Sequence, residues 1–273
     1  MTTVHTLASG SSGNALVLSW DNGHILVDAG ISCRRIRQGL QALGLDLSDL
    51  DAVCVTHTHS DHISGLQTLL KHTDCPICAS PAAGRDLLRR MVLLEDRLRE
   101  AEGTFFVKDC AVTAFPTSHD APGSRGYRFD TPGGSFGLLT DSGLVTAEAE
   151  AILPGVSLAV LEANHDVEAV RSGPYPHFLK ERILGPGGHL RNEDAAAFAV
   201  TLARAGAREI VLAHLSQENN TPAMALRAVE TALSAAGLTP RLSAAPRDRL
   251  SGAYVLEGGT TLCSGSPCSA SES

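Results

Sequence analysis

Apolar residues along the first sixty positions fall into short, β-branched runs separated by Gly, Asn and Asp. The runs ALVLSW (15–20), HILVDAG (24–30) and AVCVTHTH (52–59) have the length and composition of strands. Between the last two, the segment RRIRQGLQALG has helical spacing and ends at Gly44, a residue type that suits a helix C-cap. The pattern predicts strands interleaved with helices.

The longest helical pattern covers residues 80–103, with Pro81 near its first turn and Gly103 as its stop. More strand-like segments follow, with a hairpin signal at residues 131–134, TPGG. The second half repeats the alternation: a helix from Asn192 to Ala205, a buried strand over 208–216, a helix from Thr221 to about Ala236, and strands at LSAAP and GAYVLEG. This order predicts a layered α/β protein in which sheets pack on each other and helices cover the outside.

Composition is typical of a folded protein: hydrophobic residues make up 43% and charged residues 19% of the 273 positions. No apolar run approaches the roughly 18 to 20 residues that span a membrane, and the N-terminus lacks the features of a signal peptide. We therefore expect a cytoplasmic protein with a single domain over 1–257. Residues 258–273 are small and polar, and we expect a disordered tail there. The net charge of −8 argues against a globally basic nucleic-acid binder, although an active-site groove can be locally basic.

The segment VCVTHTHSDHISGL carries four side chains that can bind metal, directly after an apolar run: His57, His59, Asp61 and His62. Side chains of an extended strand repeat every two residues, so the two imidazoles of HTH would lie on the same side. Four adjacent donors cannot comfortably surround one ion, so two ions sharing the loop is the simpler geometry. A polar loop in which Ser60 or Asp61 only caps the next helix would explain one or two of these residues, but not all four.

Two ions need further ligands, and three candidates each follow an apolar run: His119 in AFPTSHD, Asp141 in FGLLTDSG and His214 in IVLAHLS. Alone, each would more often be a hydrogen-bonded turn residue at a strand end. Together with HTHSDH, they favour a metal site.

This order of motifs resembles the pattern of the metallo-β-lactamase superfamily, and Asp28 in ILVDAG resembles its first motif. The resemblance implies an αββα four-layer sandwich, with two packed mixed sheets covered by helices. It also implies that Asp28 orients the metal loop rather than binding metal. The implied ligand sets are His57, His59 and His119 for one ion, Asp61, His62 and His214 for the other, and Asp141 as the bridge.

A narrower resemblance, to the YycJ/WalJ (VicX-like) subfamily, runs from about residue 5 to residue 256. Its motifs are LASGSSGNA, VTHTHSDHISGL, LLTDSG, LEANHDVEAVRSGPYP, LKERILGPGGHLRNEDAA and AHLSQENN. This resemblance implies a manganese-dependent 5′-to-3′ DNA exonuclease of bacterial DNA repair, with two divalent ions as cofactors. A bridging carboxylate suits manganese and the many histidines suit zinc, so the metal is open. No protein partner is identifiable from the sequence.

Proton transfer to a leaving oxygen needs a donor, and Asp61 is counted as catalytic beside its place in the metal loop. His165 in EANHD is the first candidate for a general acid or a phosphate contact, because an imidazole can donate near neutral pH. It could instead bond to a ligand carboxylate. His189 in GGHLRNED is the second candidate, with Arg191 nearby to pair a phosphate, although His189 could be only a turn residue.

The early turn SGSSGN is a candidate substrate contact, since its glycines leave backbone N–H groups free to face an anion. We expect a tight turn between strands there, with Ser11, Ser12 and Asn14 touching a terminal phosphate or metal ligands. Aromatic residues make up only 4% of the chain and form no stripe for stacking single strands, so DNA as the substrate rests on the resemblance. The alternatives are a small-molecule hydrolase of the same superfamily, acting on a cyclic phosphodiester, thioester or lactam, and a non-catalytic, metal-stabilised regulatory protein.

Overall fold

Two mixed sheets lie at the centre of the computed structural model, which describes residues 1–91 and 94–256; within those residues each sheet has seven strands. The first sheet has the spatial order β14 (Tyr254–Leu256), β1 (Thr2–Ala8), β2 (Ala15–Trp20), β3 (Gly23–Val27), β4 (Ala52–Cys54), β5 (Ile77–Ala79) and β6 (Leu98–Glu100). The second has the order β13 (Arg241–Ala244), β12 (Glu209–Ala213), β11 (Leu158–Glu162), β10 (Gly134–Leu139), β9 (Arg125–Thr131), β8 (Cys110–Pro116) and β7 (Thr104–Val107).

Helices cover the outer face of each sheet. Along the first half they are α1 (Cys33–Ala42), α2 (Ser60–Ile63), α3 (Leu66–Leu69) and α4 (Pro81–Arg90). Along the second half they are α5 (Ala147–Ile152), α6 (Val167–Ser172), α7 (His177–Leu184), α8 (Asn192–Arg204) and α9 (Pro222–Ala235). None of the helices in the described residues is long and apolar enough to cross a membrane.

Alternation along the strands builds three apolar layers. In β2, Val17 packs in the core beneath α1 and α3, whereas its neighbours Leu16 and Leu18 face the second sheet. Strands of the second sheet contribute Phe129 to the middle layer and Leu161 to the layer beneath its helices. The predicted four-layer αββα sandwich is confirmed.

Several element predictions are confirmed by capping chemistry. The helix predicted to begin after Thr221 does so, because the Thr221 side chain accepts a hydrogen bond from the Met224 amide. Gly44 follows α1 with φ +77°, as a C-terminal glycine should. The TPGG signal corresponds to the β9–β10 hairpin, in which Thr131 pairs with Gly134.

The predicted helix over 80–103 is wrong in its second half. The helix α4 ends at Arg90, and Leu98–Glu100 instead forms β6, which pairs in parallel with β5 at the edge of the first sheet. A Cβ at Gly84 would lie 2.8 Å from a terminal methyl group of Leu98, so the bare glycine gives Leu98 room to pack on α4. Sheet pairing has overridden local helix propensity. The predicted tail, 258–273, lies outside the described residues.

Candidate metal centre

The loop after β4 carries the HTHSDH motif, but the strand is shorter than predicted. It ends at Cys54, so the last five residues of the predicted strand 52–59 form an irregular segment that leads into α2. The rings of His57 and His59 still come together, with centroids 4.7 Å apart and planes at 83°. The loop therefore presents both imidazoles to one place without strand pairing.

Distant parts of the chain complete the cluster, and all seven predicted ligands are brought together. Three sets have ligand atoms within 4.8 Å of one another: His57 with His59 and His119, Asp61 with His62 and His214, and His57 with His62 and Asp141. A fourth such set combines Asp141 and His214 with two residues outside the predicted ligands, Glu162 and His189. The first two sets have the same members as the ligand sets implied by the sequence.

Asp141 lies between the two sets. Its Oδ2 is 3.3 Å from Nε2 of His62, and its Oδ1 is 3.7 Å from Nε2 of His119. The Asp141 side chain is buried, so water does not screen the carboxylate from the neighbouring histidines. Oδ1 is also 3.6 Å from Nδ1 of His214, so the carboxylate lies within reach of both sets, as a bridging carboxylate must.

Hydrogen bonds at Nδ1 fix the direction of most of these rings. Nδ1 of His57 bonds to the Thr56 hydroxyl at 3.0 Å, and Nδ1 of His119 donates to a backbone carbonyl at 3.0 Å. Nδ1 of His62 donates to Asp28 at 2.7 Å. With Nδ1 occupied, each ring turns Nε2 toward the centre, as metal-binding histidines commonly do, although Nε2 of His62 also lies 3.0 Å from the Asn14 amide nitrogen. His59 is reversed, because its Nδ1 lies 3.1 Å from Nε2 of His119.

Unpaired buried atoms test whether this cluster suits a cation. Nε2 of His57, Nε2 of His214 and Oδ2 of Asp141 are buried without a hydrogen-bond partner among the described residues. Such atoms are rare in folded proteins, because burying an unpaired polar atom is costly. Nitrogen and carboxylate oxygen are ligands of zinc and manganese. The donor set therefore fits a divalent cation, and the cluster can bind metal.

Backbone strain is concentrated at the same place. Asp28, Asp141 and His214 have φ values of 60°, 56° and 54°, in the left-handed region that L-residues rarely adopt. Each such residue costs on the order of 1–3 kcal/mol. At Gly30, a Cβ would collide with the backbone carbonyl of Asp61, so only glycine allows the loop after β3 to lie against the metal loop.

Burial and neighbouring charges shift the pKa values of the cluster residues in different directions. Burial lowers the pKa of His57, and the neighbouring imidazoles lower it further. Burial also lowers the pKa of His62, but Asp141 and Asp28 outweigh that effect and raise it to about 9. For Asp61, burial is outweighed by His214 and His62, which hold its pKa below the usual range. The Asp61 carboxylate is therefore ionised at neutral pH, and a divalent cation would compensate its charge.

Comparisons with known proteins agree with this geometry. The model of the β-lactamase superfamily domain matches residues 24–215, which is well over half of the chain. The chain belongs to the β-lactamase superfamily. Exodeoxyribonuclease WalJ of Streptococcus pneumoniae is 37% identical over 237 residues, covering 85% of this chain and 88% of the relative. Exodeoxyribonuclease YycJ of Bacillus anthracis is 35% identical over 234 residues, covering 85% and 89%.

Among solved structures, the metallo-β-lactamase fold protein YhfI from Bacillus subtilis superimposes with a TM-score of 0.69 at 16% identity. The match covers 92% of this chain and all of that one. At this identity the likeness shows the fold alone. The predicted superfamily and fold are confirmed.

Within this β-lactamase superfamily site, the sequence interpretation missed Glu162. Its side chain is fully buried at the end of β11. One carboxylate oxygen, Oε1, accepts hydrogen bonds from Nδ1 of His189 and Nδ1 of His214, both at 2.9 Å. The other oxygen accepts the backbone N–H groups of Ser142 and Leu190 at 3.0 and 3.1 Å. An acidic residue that closes a wholly apolar strand run, LAVLE, was the available signal.

The two candidate proton donors have different surroundings. His165 is buried, and neither of its ring nitrogens has a hydrogen-bond partner among the described residues. Burial lowers its pKa to about 4, so its ring is neutral near neutral pH. His189 is partly exposed, its ring lies 5.1 Å from that of His119, and Glu162 outweighs burial to raise its pKa. The geometry brings His189, and not His165, to the edge of the metal cluster.

A cavity of about 180 Å³ adjoins the cluster, with His119, His189 and Ser11 in its walls. Of the other predicted substrate contacts, Asn14 lies behind the cluster, with its amide nitrogen 3.0 Å from Nε2 of His62. Ser12 is exposed and is not part of the cavity wall. Arg191 also lies away from the cavity, where its guanidinium bonds to Asp194 at 2.8 Å.

Proposed function

We propose that this chain is a dinuclear metal-dependent phosphodiesterase, and specifically a 5′-to-3′ DNA exonuclease. Two relatives named exodeoxyribonucleases, each similar over 85% of the chain, support the DNA substrate. The position of Asp141, with one oxygen toward His62 and the other toward His119, is the observation that supports two ions. A carboxylate placed between two sets of ligands can bridge two ions, whereas a single ion would use only one of the sets.

The proposed ligands of one ion are His57, His59 and His119, those of the other are Asp61, His62 and His214, and Asp141 is shared. When bound, two divalent cations supply hydroxide at neutral pH and neutralise charge on a phosphoryl group. Manganese or zinc would fit this mixture of imidazoles and carboxylates. Asn14 contacts a proposed metal ligand, since its amide nitrogen lies 3.0 Å from Nε2 of His62, and metal binding at Nε2 would replace that contact.

His189 is proposed to donate the proton that the leaving oxygen needs when the P–O bond breaks. Its Nδ1 is committed to Glu162 at 2.9 Å, which leaves Nε2 as the donor. The buried carboxylate of Glu162 favours the imidazolium form, so a proton is available near neutral pH. Ser11, in the wall of the same cavity, is proposed to contact the phosphate. His165, neutral at this pH, is better suited to a structural role.

The test is a metal-dependent nuclease assay. The chain, stripped with a chelator and reloaded with Mn²⁺ or Zn²⁺, should shorten 5′-phosphorylated DNA labelled at its 3′ end, one nucleotide at a time. His57→Ala and Asp61→Ala should abolish this shortening, because each removes a proposed ligand. His72→Ala is the matched control, since this exposed histidine lies outside the cluster and should leave the rate unchanged.

Three other outcomes would contradict the proposal. Persistent digestion by both ligand variants would assign the activity to a contaminant. Turnover of a cyclic phosphodiester, thioester or lactam, without DNA cleavage under either metal, would favour the small-molecule hydrolase. Metal binding without any turnover would favour a regulatory protein. A role in DNA repair, the cytoplasmic location and the single domain over 1–257 stay predictions.

A further inference from the structure

Half of the residues of helix α7 are large and apolar, yet none of them is buried in a hydrophobic core. Its sequence, HFLKERIL, includes four large apolar residues, yet none of its eight residues is buried. Phe178 is 72% exposed, and Leu184 is 37% exposed. A helix of this composition normally turns its apolar residues toward the protein interior. Folding therefore does not explain why these side chains are apolar.

Hydrogen bonds attach this helix and the segment that follows it to the residues on either side of His119. The Ser118 hydroxyl donates to the carbonyl of Pro186 at 2.7 Å, and the Asp120 N–H donates to the carbonyl of Gly187 at 3.1 Å. Arg182 of α7 also donates to the Asp120 carboxylate at 2.5 Å. Ser118 and Asp120 are the neighbours of His119 in the chain. The helix is consequently held beside the proposed catalytic groups rather than free in solvent.

The cavity beside the metal cluster has one apolar wall and one catalytic wall. Tyr175, Leu179 and Ile183 form the apolar side, and His119 and His189 form the other. Its volume of about 180 Å³ corresponds to about six water molecules at roughly 30 Å³ each. This volume has room for one planar ring system but not for a stacked run of bases. Phe178 directly precedes Leu179 in the chain, and its side chain is exposed to solvent.

A nucleobase is the group that fits this wall. Aromatic side chains stack on unpaired bases irrespective of sequence, and the proposed substrate presents a base next to each phosphodiester. Lys180, on the same helix, bonds to the carbonyl of Arg171 at 2.7 Å and has no carboxylate partner among the described residues, so it offers positive charge to a phosphate. The low aromatic content of the chain gave no sign in the sequence of the cavity-lining Tyr175 or of the exposed Phe178.

We propose that Tyr175 and Phe178 form a stacking platform for the unpaired base next to the phosphodiester being cleaved. The preferred substrate is then a single-stranded or frayed DNA end. This inference rests on the proposed nuclease function. It makes the two aromatic residues determinants of substrate binding, whereas the chemistry stays with the metal cluster and His189.

The test compares Phe178→Ala and Tyr175→Ala on two single-stranded, 5′-phosphorylated oligonucleotides. One carries the fluorescent base 2-aminopurine at the terminal nucleotides, and the other carries abasic nucleotides there. Each aromatic loss should raise Kd and KM on the base-containing strand by about 5- to 100-fold, as expected for one lost stacked base, with little change in kcat. The same variants should bind the abasic strand as weakly as the wild type does.

Controls separate stacking from damage to the fold. Tyr175→Phe keeps the ring and should retain most of the binding. Phe106→Ala removes a phenylalanine that is 71% exposed, on β7 and outside the cavity, and should change nothing. Metal content should be equal in all variants. Phe178 is so exposed that its loss should not impair folding, which keeps the test decisive even if Tyr175→Ala is unstable.

Two results would overturn the inference in distinguishable ways. If the wild type cleaves DNA and both alanine variants keep its KM and Kd on the base-containing strand, the platform is wrong and the nuclease function stands. If the wild type neither binds nor cleaves DNA, the proposed function fails, and the platform fails with it. An unchanged 2-aminopurine emission on binding would likewise exclude stacking.

Discussion

Nδ1 of His62 donates a hydrogen bond to Oδ2 of Asp28 across 2.7 Å, and both groups are buried. The same carboxylate accepts the backbone N–H and the hydroxyl of Thr56 at 2.8 and 2.9 Å. Asp28 is absent from the sets of atoms that could hold a metal among the described residues. These contacts agree with the expectation that Asp28 orients the metal loop.

Replacing Asp28 by asparagine should weaken metal binding by about 10- to 100-fold, as losses of such supporting contacts commonly do. The substitution replaces one oxygen by an NH₂ group, which cannot accept a hydrogen bond. In the place of Oδ2 it loses the bond from His62, and in the place of Oδ1 it loses the bond from the Thr56 amide. Metal affinity, measured by equilibrium dialysis with elemental analysis, checks this. Asp74→Asn is the control, because Asp74 is a fully exposed carboxylate that pairs with Arg97 on the surface. Equal affinity in the two variants would contradict the role of Asp28.

Replacing Glu162 by glutamine should reduce both stability and turnover. Its oxygens accept two imidazole N–H groups and two backbone N–H groups, and an amide can serve only one of these pairs. Each unsatisfied buried donor costs about 1–3 kcal/mol of unfolding free energy. Urea unfolding of the metal-free variant checks the stability, and kcat checks the orientation of His189. Glu168→Gln, on the exposed surface of α6, should leave both at wild-type values.

The pH dependence of metal binding should follow the protonation of His62. Burial lowers its pKa, but Asp141 and Asp28 raise it from 6.5 to about 9, so a bound cation must displace a proton below that pH. Metal affinity should therefore rise between pH 6.5 and 9. In the metal-free protein, the raised pKa stabilises the fold fully below pH 6.5, and that contribution is lost as the pH rises through about 9.

Two titrations check this expectation. Metal affinity across that range should increase, and the urea midpoint of the metal-free chain should fall over the same range. Asp28→Asn removes one of the three carboxylates that raise the pKa of His62, so both transitions should move to lower pH in that variant. A metal affinity that is constant from pH 6.5 to 9 would show that His62 does not carry the displaced proton.

The sequence could predict which residues come together in the cluster because their signals are local. Four of them are adjacent in one loop, and His119, Asp141 and His214 each follow an apolar run that ends as the chain leaves its sheet. Four layers could be expected as well, once the motifs pointed to the superfamily. The agreement of the layers with the structure reflects the alternation of side chains along strands such as β2.

Glu162 could not be found in that way, because its partners lie 27 and 52 residues further along the chain. The acid that closes the apolar run LAVLE is a local signal, but it does not identify the histidines that the carboxylate contacts. The helix over 80–103 failed for a related reason. Its periodicity continues past Arg90, but pairing with β5, which lies earlier in the chain, decides the structure of Leu98–Glu100. Contacts between distant segments decide both cases.

A last prediction concerns Thr58, which lies between the two histidines of the HTH segment. Its hydroxyl donates to Asp86 of α4 at 2.6 Å, and Arg90 both pairs with Asp86 at 2.7 Å and donates to the Thr58 carbonyl at 3.0 Å. Asp86→Ala should lower the unfolding free energy by about 1–3 kcal/mol, because it leaves the buried Thr58 hydroxyl unpaired. Metal affinity should fall too, since the loop loses its support.

Thr58→Val in the Asp86→Ala background should recover part of that stability. It removes the unpaired hydroxyl and keeps the shape of the side chain, and deleting both partners of a buried hydrogen bond is less costly than deleting one. Urea unfolding of the wild type, both single variants and the double variant forms a double-mutant cycle. A coupling energy near zero would mean that α4 does not support the loop through this hydrogen bond. A clear coupling would establish α4 as the outer support of the histidine pair.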